Sequence, residues 1–230
     1  MKLELKEKPK NPTIIEAFPG FGMVGTIAAE FLIDHLKAKQ IGRIYSEEIP
    51  PIIAVHNGKV IEPFSIFYDK TTNIVIVSAL GVMPGIEWQL SDAVLKLYET
   101  LKAKEIISIE GVESNSAEEP RTFYLTSNIK KKKKLEALGL KELNEGVILG
   151  VSASLLIKSP ESTYIFSETH SELPDSRAAA KIIETLDKYL GLKVDSKPLI
   201  KKADEFEKKL KEMLGRAMQQ QKEKKQSYLG

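Results

Sequence analysis

The spacing of apolar residues changes repeatedly along the chain, and each change marks a predicted switch between strand and helix. Runs of β-branched and aromatic residues predict strands at 13–18, 41–45, 52–56, 59–61, 64–68, 74–80, 106–109, 122–126, 147–151 and 164–166. Apolar residues that recur every three or four positions predict helices at about 24–39, 87–104, 128–138 and 174–190. Strands that alternate with helices in this way are typical of an α/β fold.

Two short connections predict that part of the sheet is antiparallel. Asn57-Gly58 separates two β-rich runs, and this dipeptide is a strong signal for a tight hairpin. The segment Asp69–Asn73 links two further runs in a similar way. We therefore expect a three-layer α/β/α domain built on a mixed sheet, and not a purely parallel sheet.

Two of the predicted helices carry more specific expectations. In the helix over 87–104, the apolar positions, Trp88 among them, share one face that we expect to be buried. Pro174 is well placed as the first residue of the helix that runs to Leu190, and Gly191 is well placed as its C-terminal stop.

A glycine-rich turn joins the first predicted strand to the first helix. Gly20, Gly22 and Gly25 match the spacing G-x-G-x-x-G. Glycine allows positive φ and a close approach of the backbone to another group. The loop can therefore receive the pyrophosphate of a dinucleotide at the helix N-terminus, or it can let the helix pack closely on a neighbouring strand.

The segment after the second predicted strand bears on this choice. A dinucleotide fold would place a ribose-binding acid near Glu47 or Glu48 and would then continue through another helix. The chain continues instead with Ile49-Pro50-Pro51 and a series of short β segments. This order favours the packing interpretation, and nucleotide binding stays open as the alternative.

A helical extension is predicted after the α/β domain. Asp195 or Ser196 can cap a new helix with Pro198 in its first turn, and the helix would be roughly 35 Å long. We therefore divide the chain into a core domain over 1–192 and an extension over 193–230. The apolar residues of the extension are spaced alternately by four and three positions, as in a short heptad seam: Leu199, Ala203, Phe206, Leu210, Met213 and Ala217.

The seam allows two arrangements of this helix. The helix can lie along its own domain, or it can associate with another copy of the chain. Because the remaining face is almost wholly Lys and Glu, self-association is slightly favoured. Its contacts would be made by Leu199, Phe206, Leu210 and Met213.

The last residues of the sequence form an apolar pair on a polar segment. Gln219–Gln226 is polar, whereas Tyr228 and Leu229 precede Gly230. Such a pair buries no surface unless a partner receives it. We therefore expect Tyr228, Leu229 and Gly230 to bind a partner protein.

Composition narrows the possible classes of protein. The 34 basic and 32 acidic side chains nearly balance, so nothing points to a nucleic-acid partner. The absence of cysteine removes disulfides, thiol catalysis and cysteine metal sites. The charged N-terminus has no signal-peptide core, and no apolar run approaches the ~18 residues of a membrane helix. We expect a soluble, cytoplasmic protein, and abundant Lys and Glu also suit a thermophile.

Some polar residues could carry chemistry, and each has a simpler interpretation. Glu168, His170 and Glu172 would share one face of a strand and could form a weak metal or acid–base site. In a loop they would be solvated, which we favour. Ser152 and Ser154 lack the G-x-S-x-G turn that exposes a serine nucleophile.

Three other carboxylates and one basic run could likewise be functional, or they could be ordinary structural or surface groups. Glu16 lies within the first predicted strand, and Glu110 and Glu113 flank a glycine after a central strand, where α/β enzymes often place working groups. We favour capping or surface roles for all three. The run Lys130–Lys134 favours a solvated helix start over an acidic protein partner or nucleic acid.

Three features together resemble one known family. They are Phe18-Pro19-Gly20-Phe21-Gly22-Met23-Val24-Gly25 between strand and helix, Gly81–Gly85 after a central strand, and Pro174-Asp175 before a late helix. This set resembles the proteasome-assembly-chaperone family over nearly the whole chain. The long helical C-terminal extension points to the archaeal PbaB-like branch.

The resemblance implies both a fold and a function. The expected fold is phosphorylase/hydrolase-like, a three-layer α/β/α domain with a mixed sheet, followed by a long C-terminal helix. The expected function is that of an assembly chaperone or ATP-independent activator, without enzymatic activity, cofactor or metal. Its partner would be the α-subunits of the 20S proteasome, and it would form a homo-oligomer, with a tetramer preferred. The sequence contains no G-x-x-x-x-G-K-[ST] motif, in agreement with ATP independence.

The C-terminal residues differ from the pattern of the family. Some members end in a hydrophobic-Tyr-any tripeptide that docks between proteasome α-subunits. Here Tyr228 is third from the end and Ser227 is not hydrophobic, so the register differs. The competing hypothesis is a hydrolase or nucleotide-binding protein that uses Gly20–Gly25 with Glu110, Glu113 or His170.

Overall fold

The computed structural model describes residues 1–47, 53–56, 59–79, 84–114, 119–169, 173–198 and 200–201. The helices of this described part are α1 (Val24–Leu36), α2 (Glu87–Leu101), α3 (Ile129–Ala137), α4 (Gly150–Lys158) and α5 (Ser176–Leu190). Its strands are β1 (Lys2–Leu5), β2 (Thr13–Ala17), β3 (Lys39–Tyr45), β4 (Ala54–His56), β5 (Lys59–Ile61), β6 (Phe64–Asp69), β7 (Ile74–Ala79), β8 (Glu105–Glu113), β9 (Thr122–Leu125), β10 (Lys141–Glu142) and β11 (Thr163–Thr169).

Most of these strands form one mixed sheet. Their order across the sheet is β1-β3-β6-β7-β2-β8-β11-β9-β10. The central strands β7, β2, β8 and β11 are parallel to one another, whereas β6 pairs antiparallel with both β3 and β7. Strands β4 and β5 form a separate antiparallel hairpin. The mixed sheet and both predicted hairpin pairings are thus confirmed.

Helices cover the sheet on both faces. Leu90 of α2 and Leu155 of α4 belong to the apolar core on one face. Leu32 of α1 and Ile183 of α5 belong to the core on the other face, with Leu135 of α3 at its side. Because the central strands are covered on both faces, every residue of β11 is buried. The predicted three-layer α/β/α fold is confirmed.

Both ends of α5 carry residues that commonly begin and end helices. Asp175 is the N-cap residue, and its Oδ1 accepts a hydrogen bond from the main-chain N–H of Ala178 at 2.9 Å. Gly191 ends the helix with φ of +72°, as predicted. Pro174 precedes the cap and is not the first helical residue, so that detail of the prediction was wrong.

The predicted strand over 147–151 is wrong, because α4 begins at Gly150. The run Val147–Val151 is apolar and short, and such a run has the same pattern in a buried strand and in a buried helix segment. Gly150 has φ of +67° and turns the chain into the helix. Packing against α2, where Ser154 Oγ lies 3.2 Å from the carbonyl oxygen of Glu87, then decides the outcome.

Two smaller expectations also need correction. Trp88 is 52% exposed and does not share the buried face of α2. It lies two residues before Leu90, and side chains at that separation leave a helix in different directions. Strand β1, which the sequence did not predict, pairs antiparallel with β3 at the edge of the sheet and alternates between exposed and half-buried residues.

Candidate functional site

The glycine loop joins β2 to α1 at the carboxyl end of the parallel strands. Its residues Phe21–Met23 form a 3-10 turn, closed by a hydrogen bond of 3.0 Å from the N–H of Met23 to the carbonyl oxygen of Gly20. The turn lies against β8, the strand next to β2 in the sheet. The three predicted glycines therefore lie at the edge of the sheet where α/β proteins commonly place their sites.

Two of the glycines leave room for β8. A Cβ atom added at Gly20 would overlap the carboxylate of Glu110, and one added at Gly25 would lie 2.6 Å from the carbonyl oxygen of Ile109. The fit is reciprocal, since a Cβ on Gly111 would overlap the carbonyl oxygen of Phe21. The loop and β8 thus approach each other more closely than side-chain atoms would permit.

Gly22 connects the loop to the start of α5. It has φ of +63°, and a Cβ there would lie 2.6 Å from Thr169 Oγ1. Its carbonyl oxygen accepts a hydrogen bond from the N–H of Asp175 at 2.8 Å. Thr169 Oγ1 in turn donates to Asp175 Oδ2 at 2.8 Å. The glycine loop and the Pro174-Asp175 motif, which are far apart in sequence, therefore form one structure.

In these contacts the glycines let the loop pack closely on the sheet, as the packing interpretation expects. Thr169 was missed as a member of this structure because nothing in the sequence links it to Gly22. The third motif, Gly81–Gly85, lies mostly outside the described residues. Of the described part, Gly85 has φ of +94°, and its N–H donates to Glu87 Oε2 at 2.9 Å.

Glu16 lies fully buried beneath the loop. One carboxylate oxygen accepts a hydrogen bond from the N–H of Phe18 at 3.1 Å, and the other accepts one from Ser108 Oγ at 2.5 Å. Removal from water raises the pKa of Glu16 to about 7, against the opposing effect of these two donors. The carboxyl group is therefore partly protonated at neutral pH.

Glu110 lies close by and is less well satisfied. Burial, with a smaller contribution from the charge of Glu16, raises the pKa of Glu110 to about 8, and a hydrogen bond from Ser152 opposes the shift. Its Oε2 has no hydrogen-bond partner among the described residues. The preferred interpretation was a capping or surface role; the surface role is wrong for Glu16 and Glu110, which are buried, whereas Glu113 is exposed.

This arrangement disfavours an anionic ligand at the loop. The space next to Gly20 is filled by the Glu110 carboxyl group, which would repel a phosphate whenever it is ionised. Glu47, one of the two acids considered for a ribose, instead forms an exposed ion pair of 2.8 Å with Lys2. Glu48 lies outside the described residues.

A third buried carboxylate, Glu168, is ion-paired. Arg121 Nε donates to Glu168 Oε2 at 2.8 Å, and Arg121 Nη2 lies 2.5 Å from Oε1. These interactions lower the pKa of Glu168 below its ordinary range. The expectation of a solvated loop was therefore wrong for Glu168, which lies in β11. His170 and Glu172 lie outside the described residues, and within them no group of three His, Asp or Glu side chains is placed to hold a metal ion.

Ser152 and Ser154 are structural members of α4. Ser152 Oγ lies 3.0 Å from Ser108 Oγ, and Ser154 Oγ donates to the carbonyl oxygen of Val151 at 2.9 Å. Both are buried. Neither is paired with a histidine in these contacts, so the geometry gives no support to a serine nucleophile.

The basic run on α3 is divided among several internal contacts. Lys131 Nζ donates to the carbonyl oxygen of Glu161 at 2.8 Å, and Lys132 forms an ion pair of 2.5 Å with Glu142. Lys134 Nζ lies 3.9 Å from the centre of the Tyr189 ring. Because these three lysines contact their own domain, the run is not a uniform binding surface.

The start of the C-terminal extension packs on α5. The N–H of Val194 donates to Asp187 Oδ1 at 3.0 Å, and Ser196 Oγ donates to Glu184 Oε1 at 3.0 Å. Residues 197, 198, 200 and 201 are helical. The predicted association residues Leu199, Phe206, Leu210 and Met213 and the predicted partner-binding residues Tyr228, Leu229 and Gly230 lie outside the described residues.

Comparisons with known proteins agree on one family. The model of the PAC2 family matches residues 14–214. An uncharacterised protein of Methanocaldococcus jannaschii is 30% identical over 210 residues, which is 89% of this chain and 86% of the relative. Among the described residues, no helix combines the length and the hydropathy that crossing a bilayer requires.

Two crystal structures from Pyrococcus furiosus have the same fold. PbaA, an archaeal homologue of proteasome-assembly chaperone, is 32% identical with a TM-score of 0.84, over 92% of this chain and 95% of its own. PbaB, an archaeal proteasome activator, is 26% identical with a TM-score of 0.77, over 92% of this chain and 98% of its own. The predicted family resemblance is confirmed, while the PbaB-like branch stays a prediction because PbaA shares more identity. The chain belongs to the PAC2 family.

Proposed function

We propose that this chain is a cytoplasmic proteasome-interacting protein, an assembly chaperone or ATP-independent activator. It binds the α-ring of the 20S core particle through its C-terminal segment, with Tyr228, Leu229 and Gly230 as the contacting residues. It acts as a homo-oligomer, preferably a tetramer, and has no enzymatic activity of its own. The extension over 193–230 is its second structural unit.

One observation carries the proposal. More than nine-tenths of the chain has the same fold as PbaA and PbaB, whose names connect them with proteasome assembly and activation. Sequence identity of 32% and 26% over that length is beyond a likeness of fold alone. The proteasome is therefore the partner that the relatives support best.

The core domain supports a binding role in a second way. The edge of the sheet that α/β enzymes commonly use is occupied here by the glycine loop, the Asp175 cap and two poorly solvated carboxyl groups. These groups contact one another and hold the loop to the sheet. The core is thus suited to be a rigid support for an interacting segment.

Deletion of residues 227–230 tests the proposal. The full chain should retain a cognate 20S particle in a pull-down and change its hydrolysis of a fluorogenic peptide. The deletion variant should lose both effects, because the apolar pair supplies the buried contact. Tyr228→Ala should reproduce most of the loss, and Gln226→Ala, on the polar side of the same segment, serves as the matched control.

Two results would count against the proposal. Retention of the 20S particle by the deletion variant at wild-type level would overturn the assignment to the C-terminal segment. A calorimetric titration with dinucleotides and nucleoside phosphates tests the rival hypothesis at Gly20–Gly25. Micromolar binding there would favour the rival.

A further inference from the structure

Strand β1 forms one edge of the sheet and pairs with β3 on one side. Among the described residues, no strand lies against its other side. The opposite edge of the sheet is β10, which has two residues, whereas β1 has four. A free edge presents main-chain N–H and carbonyl groups with which a further strand can pair. Strand β1 is therefore the longer of the two edges at which the sheet can be extended.

The pairing with β3 determines which main-chain groups of β1 point outward. The N–H of Lys6 donates to the carbonyl oxygen of Ile41 at 2.7 Å, and this pair continues the register of the two strands. Because bonded and non-bonded pairs alternate in an antiparallel ladder, Glu4 and Lys2 also bond to β3. The N–H and carbonyl groups of Leu3, which lies between them, therefore point away from the sheet.

The side chains of β1 divide between the two faces of the sheet. Leu3 and Leu5 are half-buried and pack against the core that contains Leu90 of α2. Lys2 and Glu4 are exposed on the other face. One face of this edge is thus apolar, and the other carries one positive and one negative charge.

The charged face continues a row of alternating charge from inside the sheet. Arg43 of β3 lies 2.7 Å from Glu4 on one side and 2.7 Å from Glu62 on the other. Lys2 forms its own ion pair with Glu47 at 2.8 Å. The row Glu62, Arg43, Glu4 ends at the edge on a carboxylate, so a cation beyond Glu4 would extend it.

We infer that β1 pairs antiparallel with β1 of a second copy of this chain, about a two-fold axis at Leu3. The outward N–H and carbonyl groups of the two Leu3 residues then bond to each other. Lys2 of each copy lies opposite Glu4 of the other, so each row of charge continues across the axis. The order of Lys, Leu and Glu in β1 is complementary to itself when reversed, which identifies a second copy as the occupant.

Other positions of the axis do not give this match. An axis at Glu4 would place the two Glu4 side chains opposite each other and Lys2 opposite Lys6. An axis at Leu5 would carry the pairing into residues outside β1 and place Lys2 opposite Lys8. Like charges directly opposite each other destabilise a pair of strands. The charges of β1 therefore favour the axis at Leu3.

The inference rests on the homo-oligomer of the proposed function and supplies one of its contacts. A tetramer with dihedral symmetry needs at least two different two-fold interfaces. The predicted seam of Leu199, Phe206, Leu210 and Met213 would be a separate contact, since it does not include β1. The two contacts can therefore be tested separately.

Charge reversal in the full chain tests the contact at β1. Glu4→Lys makes both cross-axis pairs repulsive, so we expect the dissociation constant of the contact to rise roughly 100-fold. At a protein concentration between the two constants, the molar mass from sedimentation equilibrium should fall by at least half. Unchanged mass for Glu4→Lys, or a monomeric wild-type chain, would overturn the inference.

Glu142→Lys is the matched control for this variant. It reverses a charge in β10, at the opposite edge of the sheet, and also breaks one ion pair, with Lys132. It should keep the wild-type mass. An equal loss of mass in Glu142→Lys and Glu4→Lys would contradict a contact at β1.

A mixture of two variants separates a failure to pair from a failure to fold. Lys2→Glu makes the exposed face of β1 entirely acidic, and Glu4→Lys makes it entirely basic. Each variant alone should fail to pair. An equimolar mixture should recover the wild-type mass, because every lysine of one copy then lies opposite a glutamate of the other. No recovery on mixing would overturn the inference.

Hydrogen exchange locates the contact on the main chain. The N–H of Leu3 should exchange slowly in the wild-type oligomer, and quickly after dilution or in Glu4→Lys. The N–H of Lys6, which is bonded to Ile41 within the chain, should stay protected in all three samples. Equally fast exchange of the Leu3 N–H at every concentration would overturn the pairing.

This inference and the C-terminal docking can fail independently of each other. If Glu4→Lys loses mass while deletion of 227–230 leaves 20S binding unchanged, the edge contact stands and the docking fails. If Glu4→Lys keeps its mass while the deletion abolishes 20S binding, the edge contact fails and the docking stands.

Discussion

At two neighbouring parts of the sheet edge, the pKa values of buried carboxyl groups are shifted in opposite directions. Beneath the glycine loop, the buried carboxyl groups of Glu16 and Glu110 accept hydrogen bonds from serine hydroxyls and the N–H of Phe18, and burial raises the pKa of each. One strand further on, Glu168 has little exposed surface too, but it is held by Arg121, and its pKa is lowered. The ionisation of these groups therefore depends on the partner as well as on the depth of burial.

The difference has a structural consequence. The protonated form of Glu110 can lie against Gly20 without the cost of burying a charge. The ionised form of Glu168 joins β11 to the residue that precedes β9. One half of the edge is thus held by close packing and the other half by charge.

The largest loss of stability is expected where the glycine loop packs on β8. Gly111→Ala places a Cβ on the carbonyl oxygen of Phe21, and a main-chain atom cannot move away cheaply. We expect the free energy of unfolding to fall by about 4 kcal/mol, as measured by denaturant titration. Gly146→Ala is the control, because the atoms nearest its added Cβ are side-chain atoms at 3.4 Å. An equal loss for both variants would contradict the close-packing account.

A second prediction concerns pH. The pKa values of Glu16 and Glu110 are raised in the folded state. The stability that their protonated forms give to the fold is therefore fully present below the ordinary pKa of 4.5. It is lost as pH rises toward the folded values of about 7 and about 8. The free energy of unfolding should therefore fall between pH 5 and pH 9.

Glu110→Gln separates this effect from other titrations. The amide has nearly the same shape and does not ionise, so the stability of the variant should depend less on pH above 5. Chemical denaturation at several pH values measures the difference. A variant curve that parallels the wild-type curve would show that Glu110 is not the titrating group.

The smallest loss of stability is expected at the ion pair between Arg121 and Glu168. Arg121→Met leaves Glu168 buried without its cation, and we expect a loss of about 2 kcal/mol at pH 7 because Arg121 itself is largely exposed. The loss should diminish as pH falls and Glu168 becomes protonated, the reverse of the trend for Glu110. Arg43→Met, which breaks the more exposed pairs with Glu4 and Glu62 and a contact with the Tyr45 ring, should change stability less.

Local signals in the sequence predicted most of the fold. Asn57-Gly58, the loop Asp69–Asn73 and the stop at Gly191 are short-range features whose physics lies within a few residues, and the pairings and helix end that they predicted are present. Helix α4 was misread because its apolar run has no period that separates strand from helix. Its conformation is decided by contact with α2, which is remote in sequence.

The candidate site, like the fold, could be predicted from the sequence only in part. The spacing of Gly20, Gly22 and Gly25 predicted a close approach but not its partners. Glu110 and Thr169 come from β8 and β11, and only the sheet order brings them to the loop. The raised pKa of Glu16 could not be predicted either, since a glutamate within a strand has the same letter whether it faces water or the core.

The central claim is that the C-terminal segment of this PAC2 family protein binds the 20S proteasome. Equilibrium binding of the full chain to a cognate 20S particle, in competition with a peptide spanning residues 219–230, tests it most directly. We expect saturable binding that an excess of this peptide abolishes, while a peptide with Tyr228→Ala has no effect. Binding that persists undiminished in excess peptide, or no binding of the full chain at all, would contradict it.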